Sequence, residues 1–214
     1  MSTPDRARIR PRAVPVGRHA LLVEVAGTEE ALALHAELLR RRADGTLPPV
    51  REIVPAARTV LLDGLADPRG LADRLERWTV PPLAAADSEP VVLPVRYDGA
   101  DLAEVARLWE VGVEDVPRVH SALEFRVAFC GFAPGFGYLT GLPERLRVPR
   151  RATPRTAVPA GAVALAGAYT GLYPRSSPGG WQLLGRTDAV LWDTAREPAA
   201  LLRPGVRVRF EAVA

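Results

Sequence analysis

Lysine is absent from this 214-residue chain, and all 28 residues counted as lysine plus arginine are arginine. That absence excludes a Schiff-base lysine, a biotin-carrying lysine and the Walker A lysine of ATP-binding loops. A nucleotide phosphate bound here would have to rest on arginine or on backbone N–H groups. Cysteine is nearly absent: Cys130 stands alone, so no intrachain disulfide or sulfur-rich zinc site can form, and a buried, inert thiol is expected. No apolar run approaches the roughly 20 residues of a membrane-spanning helix, and the start, MSTPDRARIRPRAVPVG, lacks the apolar middle of a signal peptide. A cytoplasmic protein without a membrane partner is therefore expected. Carboxylate pairs and metal-ligand clusters are also lacking, which points to no metal site in this chain. The net charge is only +3 and the arginines are scattered, so the basic pI of 9.6 does not argue for nucleic acid.

What the chain does have is apolar patterning. With 48% hydrophobic residues it can bury a sizeable core, in one large domain or two small ones. Residues 1–16 are polar and proline-broken, and a poorly ordered arm is expected there. Ala20 to Val25 reads as a strand, followed by a helix with Thr28 as N-cap and Ala31, Leu34, His35 and Leu38 on one face. Val50 to Val54 and Arg58 to Leu62 read as a hairpin, and Asp67-Pro68 opens a second helix. This order predicts an α+β sandwich over 1–85, with helices on one face of an antiparallel sheet. His19 and His35 read as structural.

The stretch PPLAAADSEP, from Pro81 to Pro90, reads as a linker, and the pattern changes beyond it. Val91 to Tyr97 is a strand, Asp101 and Glu104 make a capping box, and Leu102, Val105, Ala106 and Trp109 form the buried stripe of a helix. A short helix from Glu114 ends near His120, and the alternation of Phe125, Val127 and Phe129 predicts a half-buried strand. Later apolar segments separated by glycine and proline corners predict a closed or nearly closed, mainly-β barrel over 86–214.

The chemistry concentrates between Gly131 and Thr187. Two glycine- and proline-rich segments, GFAPGFGYLTGLP and TGLYPRSSPGGWQLLGRT, flank an arginine-rich arm from Arg145 to Gly161. Arg150, Arg151 and Arg155 stand between prolines on a stiff loop, which lowers the ordering penalty for holding a small anion; as a structural alternative, one or two pair with acidic residues such as Glu144 or Asp188. The turn Ser176 to Trp181 offers N–H groups of Gly179 and Gly180 and the Ser177 hydroxyl to an oxyanion, or serves only as a tight turn. His120 is within range as a general base or as a structural hydrogen-bonding residue. Tyr173 and Gln182 flank the turn and are placed to orient a small amide.

The runs PGFGYLTGL, VPRRATPRTAVPAGAVALAG and TGLYPRSSPGGWQLLGRT, with GRHALLV near the start and PGVRV near the end, resemble the PxpB/KipI family, that is the B subunits of 5-oxoprolinase, or allophanate hydrolase subunit 1-like proteins. Departures occur at Gly137, where the family has proline, at Ala168-Tyr169, where Gly-Gln is usual, and after Tyr97, where the segment is shorter. The resemblance implies an α+β N-terminal domain followed by a cyclophilin-like barrel. It implies ATP-dependent opening of the 5-oxoproline lactam to glutamate, with magnesium at the level of the complex, and partnership with KipA-like (C) and LamB/YcsF-like (A) subunits. By position it implies His120, Arg150, Arg155, Tyr173, Ser177, Gly179, Gly180, Gln182 and Arg186 as site residues; His120, Arg155 and Ser177 are expected to be catalytic, and the others, with Arg151 of the arm, to bind substrate or anion. Two alternatives accompany it: a KipI-like inhibitor of a sensor histidine kinase, and a carboxyltransferase-related subunit that acts on another small amide.

Overall fold

A computed structural model describes residues 11–83 and 89–214. Its internal contacts divide the chain into two compact units, Met1–Ala85 and Ala86–Ala214. Residues 1–10 of the expected arm and 84–88 of the expected linker lie outside the described residues.

The first unit runs β1 (Arg12–Val16), β2 (Ala20–Glu24), α1 (Thr28–Ala43), β3 (Glu52–Pro55), β4 (Thr59–Asp63) and α2 (Pro68–Leu75). Its antiparallel sheet has the order β1-β2-β4-β3. In β2 and β4, period-two alternation puts Leu21, Val23, Val60 and Leu62 on one buried face, paired Leu21↔Leu62 and Val23↔Val60. Leu34 and Leu38 of α1 and Leu71 and Leu75 of α2 complete that core. Two expectations are corrected. Residues 12–16 are not a loose arm but a strand, because the edge of β2 accepts them in register from Arg12↔Glu24 to Val16↔Ala20. The N-cap of α1 is Gly27, not Thr28, and the Glu30 carboxylate accepts from the Ala26 N–H at 2.9 Å. Asp67 caps α2 as expected, accepting from the Gly70 N–H at 2.9 Å.

The second unit runs β5 (Val91–Val95), α3 (Leu102–Trp109), α4 (Val116–Ser121), β6 (Glu124–Cys130), β7 (Gly137–Thr140), β8 (Arg155–Val158), β9 (Ala162–Ala166), β10 (Tyr169–Leu172), β11 (Ser177–Gly179), β12 (Gln182–Arg186) and β13 (Arg207–Ala212). Seven strands form one mixed sheet in the order β12-β9-β10-β7-β6-β13-β5, with β13 and β5 parallel. The two end strands come together: Arg96, just after β5, and Arg186 of β12 exchange N–H···O bonds of 2.9 Å in both directions. The sheet is thereby a nearly closed barrel, which removes the free edges an open sheet would expose.

Alternation along β9 separates the two faces of this barrel. Val163 and Leu165 join the main core with Phe125, Val127, Leu139, Phe210 and the helix stripe Val105, Ala106 and Trp109. Ala162, Ala164 and Ala166 lie on the opposite face under Phe136, Tyr173 and Trp181. The small alanine side chains leave room for the rings, which meet edge-on, Phe136 with Trp181 at 5.7 Å and Phe136 with Tyr173 at 5.2 Å.

The seam of the barrel depends on glycine. A Cβ on Gly185 would run into the Arg96 carbonyl oxygen and stand 2.9 Å from the Tyr97 Cα, both backbone atoms of the opposite end strand. Gly185→Ala is expected to lower stability by about 2 kcal/mol through forced separation of the seam. A urea unfolding curve measures this directly, and an unchanged midpoint would mean that the seam is already open in solution. Among the described residues no helix is long and apolar enough to cross a membrane.

Candidate functional site

Two chain segments, the arginine arm and β12, converge on one side chain that the sequence pattern assigns to a helix cap. Asp101 does precede α3, but its carboxylate makes no capping bond. It turns inward and is only 4% exposed. Oδ1 accepts from Arg151 Nη1 at 2.6 Å and from Arg155 Nη2 at 2.8 Å, while Oδ2 accepts from the Leu183 N–H of β12 at 2.7 Å. The expected capping box is thus replaced by an ion cluster, and Glu104 pairs instead with Arg107 at 2.8 Å. Burial alone would raise the Asp101 proton affinity; the hydrogen bonds from Arg155 and Leu183, with the charges of Arg155 and Arg151, outweigh it and hold the carboxyl below its ordinary value.

The arginine arm is strapped to the stretch from β11 to the start of β12. The Arg151 N–H donates to the Gly180 carbonyl at 2.8 Å, and Gln182 Nε2 donates to the Pro149 carbonyl at 3.3 Å. Arg155 opens β8, which pairs with β11 so that Arg155 stands opposite Gly179 and Val158 opposite Ser177. The arm is therefore partly strand, not loop throughout, because β11 provides it with ladder partners. The structure brings together Arg151, Arg155, Gln182 and Gly180, as grouped from the sequence, and adds Asp101. The structural alternative, one or two of these arginines paired with an acidic residue, holds for Arg151 and Arg155, and the acid is Asp101, fifty or more positions away, rather than Glu144 or Asp188.

Other candidates lie elsewhere or serve packing. Arg150 is exposed, with its guanidinium carbon 6.0 Å from the Trp181 ring centroid. Burial raises the Tyr138 and Tyr173 hydroxyl proton affinities, and the Arg150 charge partly offsets this at both. Tyr173 is 2% exposed, and a Cβ on Gly179 would run into its hydroxyl oxygen, so Gly179 is there to admit the ring. At Gly180 a Cβ would meet nothing nearer than Pro154 Cγ at 3.6 Å. Arg186 pairs with Asp98 at 3.0 Å on the surface.

His120 and Ser177, the expected catalytic groups, both lie in the protein interior. His120 has no exposed surface and packs against two rings that also touch each other, stacked on Phe210 at 4.8 Å and tilted against Phe125 at 4.9 Å. Its ring nitrogens engage the Tyr97 hydroxyl at 2.8 Å and Thr170 Oγ1 at 3.3 Å. Burial lowers its pKa to about 3, so it is a neutral core residue without contact to solvent. Ser177 is buried in the β8–β11 ribbon, and its hydroxyl donates to the Arg175 carbonyl at 3.2 Å. A base within reach of that hydroxyl is not His120, whose partners are Tyr97 and Thr170. The Cys130 thiol donates to the Leu202 carbonyl at 3.3 Å and is pushed up by burial to about 11, an inert group.

A cavity of about 330 Å³ is lined by Tyr173, Thr187, Asp188, Val190 and Trp192, among others, and by none of the Asp101 cluster. Only Asp101 was missed among the residues of the cluster. Its local signal, an acid three positions before Glu104, is indistinguishable from a capping box, and its partners are set by the fold.

Comparison with known proteins places this arrangement in a family. The family described as carboxyltransferase domain, subdomain C and D, matches residues 11–202. The 5-oxoprolinase B subunit of Escherichia coli O157:H7 is 41% identical over 214 residues, covering 94% of this chain and 95% of that protein. The 5-oxoprolinase B subunit of Haemophilus influenzae is 44% identical over 156 residues, covering 71% and 73%. The crystal structure of TTHA0988 superposes with a TM-score of 0.74 at 38% identity over 92% of this chain, which spans 40% of the length of TTHA0988. The match over 94% of this chain and 95% of the Escherichia coli protein, with the family model over residues 11–202, shows that the chain belongs to the family of 5-oxoprolinase B subunits.

Proposed function

We propose that this chain is the B subunit of an ATP-dependent 5-oxoprolinase, and that its strapped arm helps hold the lactam ring while it is opened to glutamate. The observation that carries this reading is the 41% identity, spread over 94% of the chain, to a protein named as the B subunit of 5-oxoprolinase. Such a subunit implies companions, and we assign these to KipA-like (C) and LamB/YcsF-like (A) subunits. The occurrence of this fold within the longer TTHA0988 chain is consistent with a unit that works against a neighbour.

The chemistry asks for help that water alone does not give. A lactam carbonyl is a poor electrophile; transfer of the ATP γ-phosphoryl group to its oxygen, with ADP leaving, makes the carbon open to water, the C–N bond of the adduct then breaks as its nitrogen takes a proton, and a second water hydrolyses the resulting acyl phosphate to glutamate and phosphate. ATP and its magnesium belong to the assembled enzyme in this reading. Within this chain, Arg151 and Arg155 share the charge of Asp101, so they act as fixed hydrogen-bond donors more than as free cations. Arg150, exposed beside Trp181, is the cation of the arm best placed to meet a carboxylate or phosphoryl group. His120 and Ser177 take no chemical part in this proposal.

Reconstitution tests it. The three proteins together are expected to form glutamate from 5-oxoproline in an ATP-dependent manner, and omission of this chain is expected to abolish it. Glutamate formation at the same rate without this chain, or none with all three, overturns the assignment.

A further inference from the structure

Three large apolar side chains stand exposed on two neighbouring loops of the barrel unit. Val190 and Trp192, after β12, are 60% and 43% exposed, and Phe132, between β6 and β7, is 58% exposed. The loops touch, since a Cβ on Gly135 would stand 2.9 Å from the Trp192 Cβ. Tyr173 joins them: it lines the cavity of about 330 Å³ together with Val190 and Trp192, and its ring centroid lies 6.2 Å from that of Phe132. Both loops are held in this form. Phe132 has φ of 68°, in the left-handed region that a bulky residue enters only under constraint, and the turn around it is closed by the Ala133 N–H to the Gly131 carbonyl at 2.8 Å and the Phe136 N–H to the Ala133 carbonyl at 3.0 Å. Arg196 pins the other loop from within, donating to the Val190 carbonyl from Nη1 at 3.3 Å and to the Ala199 carbonyl from Nη2 at 2.9 Å. Apolar side chains exposed together on constrained backbone are the signature of an interaction surface.

The cavity indicates the kind of surface that covers them. Ala160, Asp188, Val190 and Trp192 of its lining are exposed, so a small molecule there would stay largely in water, whereas small-molecule sites bury most of their ligand. A side chain carried in on a second protein surface would be sealed by that surface. Asp188 is the one charged residue of the lining and has no ion-pair partner among the described residues. A carboxylate and an indole lining one cavity suit a guanidinium or ammonium group, through charge and through the face of the ring. Two copies of a chain of net charge +3 repel at long range, which disfavours self-association as the way to cover the patch. We propose that Phe132, Val190 and Trp192 form the face on which a companion subunit of the 5-oxoprolinase assembly docks, and that this subunit sends an arginine or lysine side chain into the cavity toward Asp188. This inference rests on the B-subunit reading for the identity of the partner.

The test measures association of the full chain with the KipA-like and the LamB/YcsF-like subunit by calorimetry at low and high salt, with sedimentation of the chain alone. Trp192→Ala, which keeps the Cβ beside Gly135, is expected to weaken binding to a companion by about tenfold or more. Asp188→Asn is expected to weaken it about fivefold and to flatten its salt dependence. Val113→Ser, at an exposed apolar residue outside this face, is expected to leave binding unchanged. Unfolding midpoints check each variant, and Asp188→Asn, an exposed carboxylate exchanged for its amide, decides the matter should Trp192→Ala not fold. The proposal is overturned by wild-type affinity in Trp192→Ala, by an unchanged salt dependence in Asp188→Asn, by failure of the wild-type chain to bind either companion, or by a dimer of the chain alone that Trp192→Ala dissolves. Binding weakened by both variants, in an assembly that forms no glutamate, would keep the interface and remove the lactam-opening reading. Glutamate formation with normal binding by both variants would do the reverse.

Discussion

Asp101→Ala is expected to destabilise the barrel unit by about 3 kcal/mol. The carboxylate is 4% exposed, and its removal leaves Arg151 and Arg155 side by side without a counter-charge. It also leaves the Leu183 N–H, bonded to Oδ2 at 2.7 Å, without that acceptor beside the barrel seam. The two arginine side chains are 35% and 21% exposed, so water can take up part of their charge, which keeps the expected loss at the low end for a broken buried pair. Asp101→Asn keeps the shape and one acceptor and is expected to lose roughly half as much. Tryptophan fluorescence in urea is a suitable readout, since Trp109, Trp181 and Trp192 lie in the barrel unit and only Trp78 in the other. A loss below about 0.5 kcal/mol for the alanine variant would mean that water satisfies the cluster, and the arm would then be a surface feature.

The second large effect is a loss of stability on mild acidification. Burial lowers His120 to about 3, and burial with the charge of Arg42 lowers His35 to about 4, from an ordinary 6.5. Both are neutral in the fold, whereas in the unfolded chain they take up protons below about pH 6.5. The stability they contribute is therefore fully present above pH 6.5 and is lost as pH falls, through about 4 for His35 and about 3 for His120. For His120 the loss between pH 7 and pH 4 is on the order of 3 kcal/mol, which is a large part of a domain's net stability. The Asp101 carboxyl, held below its ordinary 3.8, acts in a lower window, so the two effects separate along the pH axis. His120→Gln preserves hydrogen bonding toward Tyr97 and Thr170 but does not titrate. Its barrel unit is expected to be less stable than wild type at pH 7 and to show a flatter decline toward pH 4. Parallel stability–pH curves for the two proteins would refute the neutral core histidine.

Much of the fold was legible because it rests on short-range chemistry. The alternating residues of β2 and β4, the Asp67-Pro68 start of α2 and the Val105, Ala106 and Trp109 stripe of α3 all follow from periods of two or of 3.6 and from the caps of single turns. The arginines and glutamine of the strapped arm were legible as a group because prolines and glycines mark them off. Strand β1 was misread because proline and arginine look like a loose arm until β2 supplies a ladder to join. Which of the two readings of His120 its surroundings favour was not legible, because its helix, only six residues long, has too little periodicity to reveal that its histidine faces a core.

By itself the sequence determined the family, through runs dense enough to identify it, and the kinds of element on either side of residue 85. Without lysine, it also determined that arginine must supply every side-chain ammonium-like contact the chain makes. Only the tertiary structure decided that Asp101 belongs to Arg151 and Arg155, and that Arg96 and Arg186 close the barrel. The physical reason is range. Periodicity and capping report neighbours within a turn or a pleat, whereas a buried charge chooses its partner across fifty or more residues, and that choice exists only once the strands have closed around it.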